Sequence, residues 1–176
     1  MILLDATSLA LLLNKHARPP EDPATGKPVE RAHERFSFLE KEVQRRRDTI
    51  VIPTPALAEI LVKVEDEAGA ILERLNRSSF FKIASFDQRA AVEVAAMTRD
   101  AIRAGDKRAG LQSPYQKIKV DRQIVAIGRS LGVLTIYSDD SDVFAIAAVA
   151  KLPVVRTWEM QLPPEDPQQD MFKNEG

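Results

Sequence analysis

Acidic residues follow two apolar segments that have the character of buried strands. Asp5 comes directly after the apolar run at the N-terminus, and Asp139, Asp140 and Asp142 follow the run VLTIY at 133–137. In an open α/β sheet, ligands bind beyond the carboxyl ends of the strands, so side chains at these ends can meet. Carboxylate oxygens are the ligands that Mg²⁺ and Mn²⁺ prefer. The pattern therefore predicts a divalent-metal site at one edge of a sheet.

Two further acids can reach the same edge. Glu59 lies in the helix predicted after a strand at 49–52, and Asp121 opens a helix predicted over 119–131. Carboxylates crowded together without a metal repel one another and tend to protonate. Two divalent ions about 4 Å apart, in contrast, can activate water and stabilise the leaving oxygen in phosphodiester hydrolysis. We predict a four-carboxylate metal site made of Asp5, Glu59, Asp121 and Asp140.

Each of these acids also has a simpler interpretation. Asp5 can cap the helix that follows it, Glu59 can face solvent on the flank of its helix, and Asp121 can be favoured by a helix dipole. Of Asp139 and Asp142, we expect one to serve as a cap or a solvated acid.

Strands and helices alternate along the chain. Strands are predicted at 1–4, 49–52, 80–83, 133–137 and 154–155. This alternation predicts an α/β fold with a mainly parallel sheet and helices on both faces. The helix that Asp87 can cap has its predicted buried stripe at Ala91, Val94, Ala95, Thr98 and Ile102.

The length of 176 residues predicts one domain, which we place at 1–160. Four prolines and a glycine make 17–28 a predicted loop, within a loop or insertion that spans 17–35. The acidic, proline-rich segment 163–176 is predicted to be a flexible tail.

Composition excludes several classes of site. The chain has no cysteine, which rules out disulfides, cysteine zinc sites and thiol nucleophiles. No run approaches the roughly 18 apolar residues of a membrane helix. The apolar N-terminal run is interrupted by Asp5 and has no basic segment before it, which argues against a signal peptide. We therefore expect a cytoplasmic protein without a membrane partner.

Basic residues are concentrated in 103–122, although the formal net charge of the chain is only -1. A basic surface beside an acidic cluster is compatible with a polyanion. The alternative is a solvated loop. The predicted contacts to an RNA backbone are Lys107, Arg108, Lys117, Lys119 and Arg122.

Four motifs together resemble the PIN-domain family, including the VapC-type toxins of bacterial toxin–antitoxin pairs. They are LLDATSLALLL around Asp5, IPTPALAEIL around Glu59, VDRQIVAIGRSLG around Asp121 and IYSDDSDV around Asp140. Each is weak alone, but they occur in the family's order over nearly the whole chain. The resemblance implies a three-layer α/β/α sandwich and a Mg²⁺- or Mn²⁺-dependent ribonuclease. It also implies a homodimer and, for a toxin, a small antitoxin partner.

The resemblance assigns a role to individual residues. Asp5, Glu59, Asp121 and Asp140 match the four family acids in order, and Asp142 matches a further, less regular one. Thr7 and Ser138 would supply hydroxyls that hold these ligands. The chain departs from the family in its insertion at 17–35, in Ser138 where threonine is commoner, and in its acidic tail.

Other functions stay open at this stage. The chain could be a catalytically silent PIN-like interaction module. Asp140 and Asp142 after a strand also suggest a Toprim-like nuclease, although an early glutamate–glycine pair is missing. A haloacid-dehalogenase-like phosphatase would need an acid where Thr7 stands. The tail segment Gln168–Phe172 resembles a sliding-clamp-binding peptide without its usual leucine, and we favour a disordered tail.

Overall fold

The computed structural model describes residues 1–163, apart from the side chain of Glu65. Residues 164–176 lie outside this part, and with them the clamp-like segment Gln168–Phe172 and almost all of the predicted tail. The elements in chain order are β1 (Ile2–Leu4), α1 (Ala6–Leu13), β2 (Glu21–Asp22), β3 (Lys27–Pro28), α2 (Ala32–Arg45), β4 (Ile50–Pro53), α3 (Thr54–Val64), α4 (Ala68–Arg77), β5 (Phe81–Ala84), α5 (Gln88–Arg103), α6 (Tyr115–Leu131), β6 (Thr135–Tyr137), α7 (Ser141–Val149) and β7 (Val154–Val155). Short 3-10 turns occupy Glu65–Glu67 and Thr157–Glu159.

The central sheet has five parallel strands in the order β5-β4-β1-β6-β7. β1 is the middle strand, and Leu3 pairs with Val51 on one side and with Ile136 on the other. All three residues of β1 are buried, as expected for a parallel strand that is covered on both faces. The predicted strands are thus confirmed, and the carboxyl ends of β1 and β6 lie side by side.

Two hydrophobic layers cover the sheet. Side chains alternate between the faces of a strand: Leu4 packs with α1 to α4, whereas Leu3 packs with α5, α6 and α7. The largest side chains of the first layer include Phe36 and Ile60, both almost fully buried. The architecture is the predicted α/β/α sandwich with a parallel central sheet.

Two glycines fix the position of α6 against the sheet. Gly132 ends the helix in the left-handed region at φ 66°, directly after the predicted helix end at 131. A Cβ on Gly128 would lie 3.1 Å from Leu3 Cδ1 and 3.2 Å from Val133 Cγ2. The absence of a side chain at Gly128 therefore allows the close approach of α6 to β1.

The predicted loop at 17–28 instead contains an antiparallel hairpin, β2–β3. Its turn is held by the Asp22 carboxylate, which accepts a hydrogen bond from the Ala24 N–H at 2.8 Å, and by Gly26 at φ 66°. The predicted insertion 17–35 is also too long as a loop, because α2 already begins at Ala32. Strands of two residues carry too little periodicity to be seen in a sequence.

The predicted stripe of α5 is right for Val94 and Thr98, which are half-buried, and wrong for its other three residues. Ala90 and Ala101 are the buried residues, and Val94 and Met97 pack beside them. Ala91 and Ala95 are exposed, and so is Ile102, at 58%. Alanines on several faces of this helix leave its apolar side ambiguous. Within residues 1–163, no helix combines the length and the apolar character needed to cross a membrane.

Candidate metal centre

Three carboxylates form a cluster at the carboxyl edge of the sheet. One oxygen from each of Asp121, Asp140 and Asp142 can be chosen so that all lie within 4.8 Å of one another. We call these three residues the carboxylate cluster. Asp121 projects from α6, whereas Asp140 and Asp142 follow β6 directly. These residues converge because α6 packs against α7, which is capped by Asp140 and contains Asp142 in its first turn.

Asp121 does not open its helix, contrary to the prediction. α6 begins at Tyr115, so that Asp121 lies in the second turn and is 6% exposed. The helix macrodipole acts mainly on charges in the first turn. A favourable helix-end charge is therefore not the reason for an acid at this position.

A single ammonium group connects the whole cluster. Lys117 Nζ lies 2.8 Å from Asp121 Oδ2, 2.8 Å from Asp140 Oδ2 and 2.9 Å from Asp142 Oδ2. A lysine ammonium offers three donors, and all three carboxylates can accept one. The cluster is arranged around one cation position.

The two carboxylate oxygens of Asp140 have different partners. Oδ1 caps α7 by accepting hydrogen bonds from the N–H groups of Asp142 at 2.7 Å and Val143 at 3.2 Å. Oδ2 faces the ammonium of Lys117. The cap fixes the carboxylate in the orientation that the cation position needs.

Asp5 caps α1 and also belongs to the site. Its Oδ1 accepts the Ser8 N–H at 2.8 Å, which confirms the capping interpretation. The Thr7 hydroxyl donates to the same carboxylate at 2.9 Å, and the Ser138 hydroxyl donates to Asp5 Oδ2. Ser138 Oγ also accepts the N–H of Asp140 at 3.1 Å, which links the ends of β1 and β6. The hydroxyls of Thr7 and Ser138 thus hold the Asp5 carboxylate in place.

Glu59 is exposed on α3 and lies across a cavity from these acids. The cavity has a volume of about 370 Å³. We call it the acidic cavity, and its charged lining consists of Asp5, Glu59, Lys117, Asp121 and Asp140. All four predicted acids therefore face one space, although Asp5 and Glu59 stand outside the 4.8 Å cluster.

Burial raises the pKa of two of the site acids, Asp5 and Asp121. The pKa of Asp5 is raised because the carboxyl is desolvated, despite the hydrogen bonds from Ser138, Ser8 and Thr7. Desolvation also raises the pKa of Asp121 to about 6, and the charges of Asp140 and Asp142 add to it while Lys117 opposes it. Perturbed carboxyls in a cleft are typical of functional sites.

Lys117 and Asp142 show the effect of the ion pairs. Burial alone would lower the pKa of Lys117, but its hydrogen bonds to the three carboxylates raise it above the ordinary lysine value. Burial alone would raise the pKa of Asp142, but hydrogen bonds from Ser113 and Lys117 lower it overall. The cluster therefore stabilises a positive charge at its centre.

The two uncertain acids are now distinguished. Asp139 accepts the Thr157 N–H at 2.8 Å and the Thr157 hydroxyl, so that it anchors the segment after β7. Asp142 is 6% exposed and belongs to the carboxylate cluster. One of the two was expected to be a helix cap or a solvated acid; Asp139 is neither, because its half-buried carboxylate is bound to Thr157.

The basic residues predicted to contact RNA fall into two groups, those bound to other parts of the protein and those exposed to solvent. Arg122 is 2% exposed and donates to the Lys107 carbonyl at 2.7 Å and to Thr98 Oγ1 at 3.3 Å. Its predicted RNA contact is therefore wrong, because the guanidinium serves to fasten the loop before α6. Lys117 is engaged by the acids, whereas Lys107, Arg108 and Lys119 are exposed and stay predicted contacts.

The donor set suits a hard divalent cation. All the converging groups are carboxylate oxygens, with no nitrogen or sulfur ligand among them, as Mg²⁺ and Mn²⁺ favour. The ammonium at the centre demonstrates that a cation fits between them. Lys117 was not recognised as a partner of the acids from sequence, although its spacing of four residues from Asp121 on a helix is the signal for such a pair.

No protein-family model matches the chain, and no curated protein matches it. Solved structures do match. A chain in the crystal structure of VapBC2 from Rickettsia felis bound to a DNA fragment from their promoter superposes with a TM-score of 0.57 at 15% identity, over 89% of this chain and 98% of that one. A chain in DNA-bound VapBC from Salmonella typhimurium gives a TM-score of 0.54 at 15% identity, over 89% and 97%. The chain shares their fold. The PIN-like fold implied by the sequence motifs is thereby confirmed.

Proposed function

We propose that the chain is a Mg²⁺- or Mn²⁺-dependent ribonuclease. The observation that carries the proposal is the carboxylate cluster of Asp121, Asp140 and Asp142 around one cation position, beside the buried Asp5. Such a site on a fold shared with VapBC chains is most simply explained by a metal-dependent phosphodiesterase.

The protein's own groups act as ligands and supports. Asp121, Asp140, Asp142 and Asp5 would hold the metal, and Glu59 would face it across the acidic cavity. A bound Mg²⁺ or Mn²⁺ supplies an acidified water for attack and neutralises charge on the phosphodiester. Thr7 and Ser138 keep the Asp5 carboxylate in place through their hydroxyls. No side chain needs to act as a nucleophile.

RNA would approach over the exposed basic residues before and at the start of α6. Lys107 and Lys119 lie over the Tyr115 ring, with their ammonium groups 4.6 Å and 6.0 Å from its centroid, and Arg108 is exposed nearby. Contacts of this kind bind phosphates without reading sequence, and their strength falls as salt rises.

The toxin of a type II toxin–antitoxin pair is the biological role that we favour. The two structures described above are VapBC complexes bound to DNA. A small antitoxin and a second copy of the chain would then be its partners, and cytoplasm its location. A neighbouring gene for a small protein that binds the chain and inhibits cleavage would support this role. Cleavage that proceeds unchanged in its presence would contradict it.

The experiment is cleavage of single-stranded RNA with Mn²⁺ by the wild type and by two variants, Asp121→Asn and Asp5→Ala. Removing a ligand should reduce the rate by at least about 100-fold. Asp100→Asn is the matched control, because Asp100 is an exposed acid on α5 outside the acidic cavity. Circular dichroism should establish that the variants fold. Undiminished cleavage by either folded variant would refute the assignment.

A catalytically silent interaction module is the second candidate. It is favoured by the ammonium of Lys117, which already neutralises part of the cluster's charge. Titration with Mn²⁺ separates the two functions, because the nuclease must bind the ion at the carboxylate cluster and a scaffold need not.

A further inference from the structure

Lys117 has the position that a metal ion would need. Its ammonium lies at hydrogen-bond distance from one oxygen of each cluster acid, and these are the oxygens that point toward the shared centre. Mg²⁺ binds carboxylate oxygens at about 2.0–2.1 Å. An ion ligated by Asp121, Asp140 and Asp142 would therefore occupy nearly the same point as Nζ. The ammonium and the metal exclude each other.

The lysine is held by charge and not by packing. Its side chain is 41% exposed, whereas those of Asp121 and Asp142 are 8% exposed. The acids are fixed by the helices that carry them and, for Asp140, by its cap on α7. A lysine stem has four flexible carbons and can turn toward solvent, so the cation can leave while its ligands remain in place.

We propose that Lys117 is a built-in competitor for the metal: a divalent ion binds the carboxylate cluster only by displacing the ammonium. The inference rests on the metal site proposed above. In the metal-free protein, Lys117 offsets the repulsion among the three carboxylates and keeps their geometry. Once the metal binds, the ammonium stays tethered at the rim of the acidic cavity, where it can meet a substrate phosphate. Metal affinity is thus limited by a residue of the chain itself.

Lys119 provides a matched control on the same helix. It is exposed, it lies two residues from Lys117, and its ammonium faces the Tyr115 ring at 6.0 Å from the centroid. Lys117→Met and Lys119→Met remove the same charge and keep a flexible apolar side chain. Only the first removes a cation from the carboxylate cluster.

The experiment is calorimetric titration of the wild type, Lys117→Met and Lys119→Met with MnCl₂ at pH 8. Surface-accessible ion pairs contribute modestly, and with three pairs lost we expect Lys117→Met to bind Mn²⁺ about tenfold more tightly than the wild type. Lys119→Met should bind like the wild type. Lys117→Gln, which keeps a polar donor without the charge, should repeat the gain and serves if the methionine variant does not fold.

The outcomes separate this inference from the proposed function. Binding of Mn²⁺ by the wild type with equal or weaker binding by both folded Lys117 variants would overturn the competition and leave the metal site intact. A gain of the same size in Lys119→Met would also overturn it, since general charge would then explain the effect. Failure of all the proteins to bind Mn²⁺ would overturn the metal site and the competition together.

Thermal unfolding gives an independent readout. Without metal, Lys117→Met should melt at a lower temperature than the wild type because its carboxylates are no longer neutralised. Saturating Mn²⁺ should then raise the melting temperature of the variant by about 3–5 °C more than that of the wild type, as tenfold tighter binding requires. Equal increases in the two proteins would contradict the proposal.

Discussion

Two cavities of similar size contain acids whose pKa values are shifted in opposite directions. The acidic cavity, of about 370 Å³, gathers acids from distant parts of the chain, and the pKa values of Asp5 and Asp121 are raised there. A second cavity, of about 340 Å³, lies beside α2 and is also lined by acids, among them Glu42 and Asp48. There the pKa values of both acids are lowered.

Burial and charged partners together cause the difference: desolvation is the largest cause of the raised pKa values of Asp5 and Asp121, and a hydrogen bond from a cation is the largest cause of the lowered pKa values of Glu42 and Asp48. Glu42 has a guanidinium from Arg45 at 2.7 Å and another from Arg46 at 3.1 Å, and Asp48 has the N-terminal ammonium at 2.6 Å. Glu42 and Asp48 thus each have at least one cation of their own. In the carboxylate cluster, three acids share Lys117. A cluster with fewer cations than carboxylates can bind a divalent ion. Carboxylates that are each paired with a cation only stabilise the protein surface.

The largest effect that tests this contrast concerns Ser138. Its buried hydroxyl donates to Asp5 and accepts from the Asp140 N–H, so Ser138→Ala should loosen both ends of the site. Loss of a group that orients a ligand typically costs about 10–100-fold in metal affinity. Calorimetry with MnCl₂ measures the loss. Ser130→Ala is the control, because that hydroxyl binds only the Ile127 carbonyl of its own helix at 3.0 Å in the described contacts. Equal affinity in Ser138→Ala and the wild type would contradict the role of Asp5.

The second effect is the dependence of metal binding on pH. A metal binds the deprotonated carboxylate, so protons compete with it. Because the pKa of Asp121 is about 6, Mn²⁺ affinity should be about tenfold weaker at pH 5 than at pH 7. Calorimetry at the two pH values measures the change, and Asp121→Asn should lose this step. An affinity that is the same at both values would refute the raised pKa.

The raised pKa of Asp121 also makes the stability of the metal-free protein depend on pH. Asp121 binds its proton more tightly in the folded state than when unfolded, so its contribution to stability is present below pH 4 and is lost as pH rises through about 6. Glu42 and Asp48 act oppositely, since acids with lowered pKa values lose their stabilising contribution as pH falls.

The smallest expected effect lies in the second cavity. Glu42→Gln removes the exposed pairs with Arg45 and Arg46 and should reduce the free energy of unfolding only slightly, because exposed ion pairs contribute little to stability. Urea unfolding measures this change, and Mn²⁺ affinity should stay at the wild-type value. Altered metal binding in this variant would mean that the two cavities are coupled and that the contrast between them fails.

The sequence predicted those features that depend on local patterns. Apolar runs located the five strands of the main sheet, and the order of strands and helices placed Asp5 and Asp140 at neighbouring strand ends. Gly132 marked the end of α6 because a helix commonly closes with a left-handed residue.

Features that depend on packing were missed. α6 begins at Tyr115, directly after Pro114, and no side chain caps it. Because this helix start has no capping signal, Asp121 was wrongly predicted to open the helix. The register of α5 was ambiguous because alanine is small enough for either face. The spacing of Lys117 and Asp121 could have indicated that one pair, but the contacts of Lys117 with Asp140 and Asp142 follow from the packing of α6 against α7, which no local pattern of charges encodes.

The central claim is that the carboxylate cluster holds a divalent metal. The most direct measurement is anomalous diffraction from crystals of the protein grown with MnCl₂. We predict a manganese peak between Asp121, Asp140 and Asp142, with the ammonium of Lys117 moved out of the cluster. Crystals that contain Mn²⁺ at a saturating concentration, yet have no peak there and still have Nζ between the three carboxylates, would contradict it.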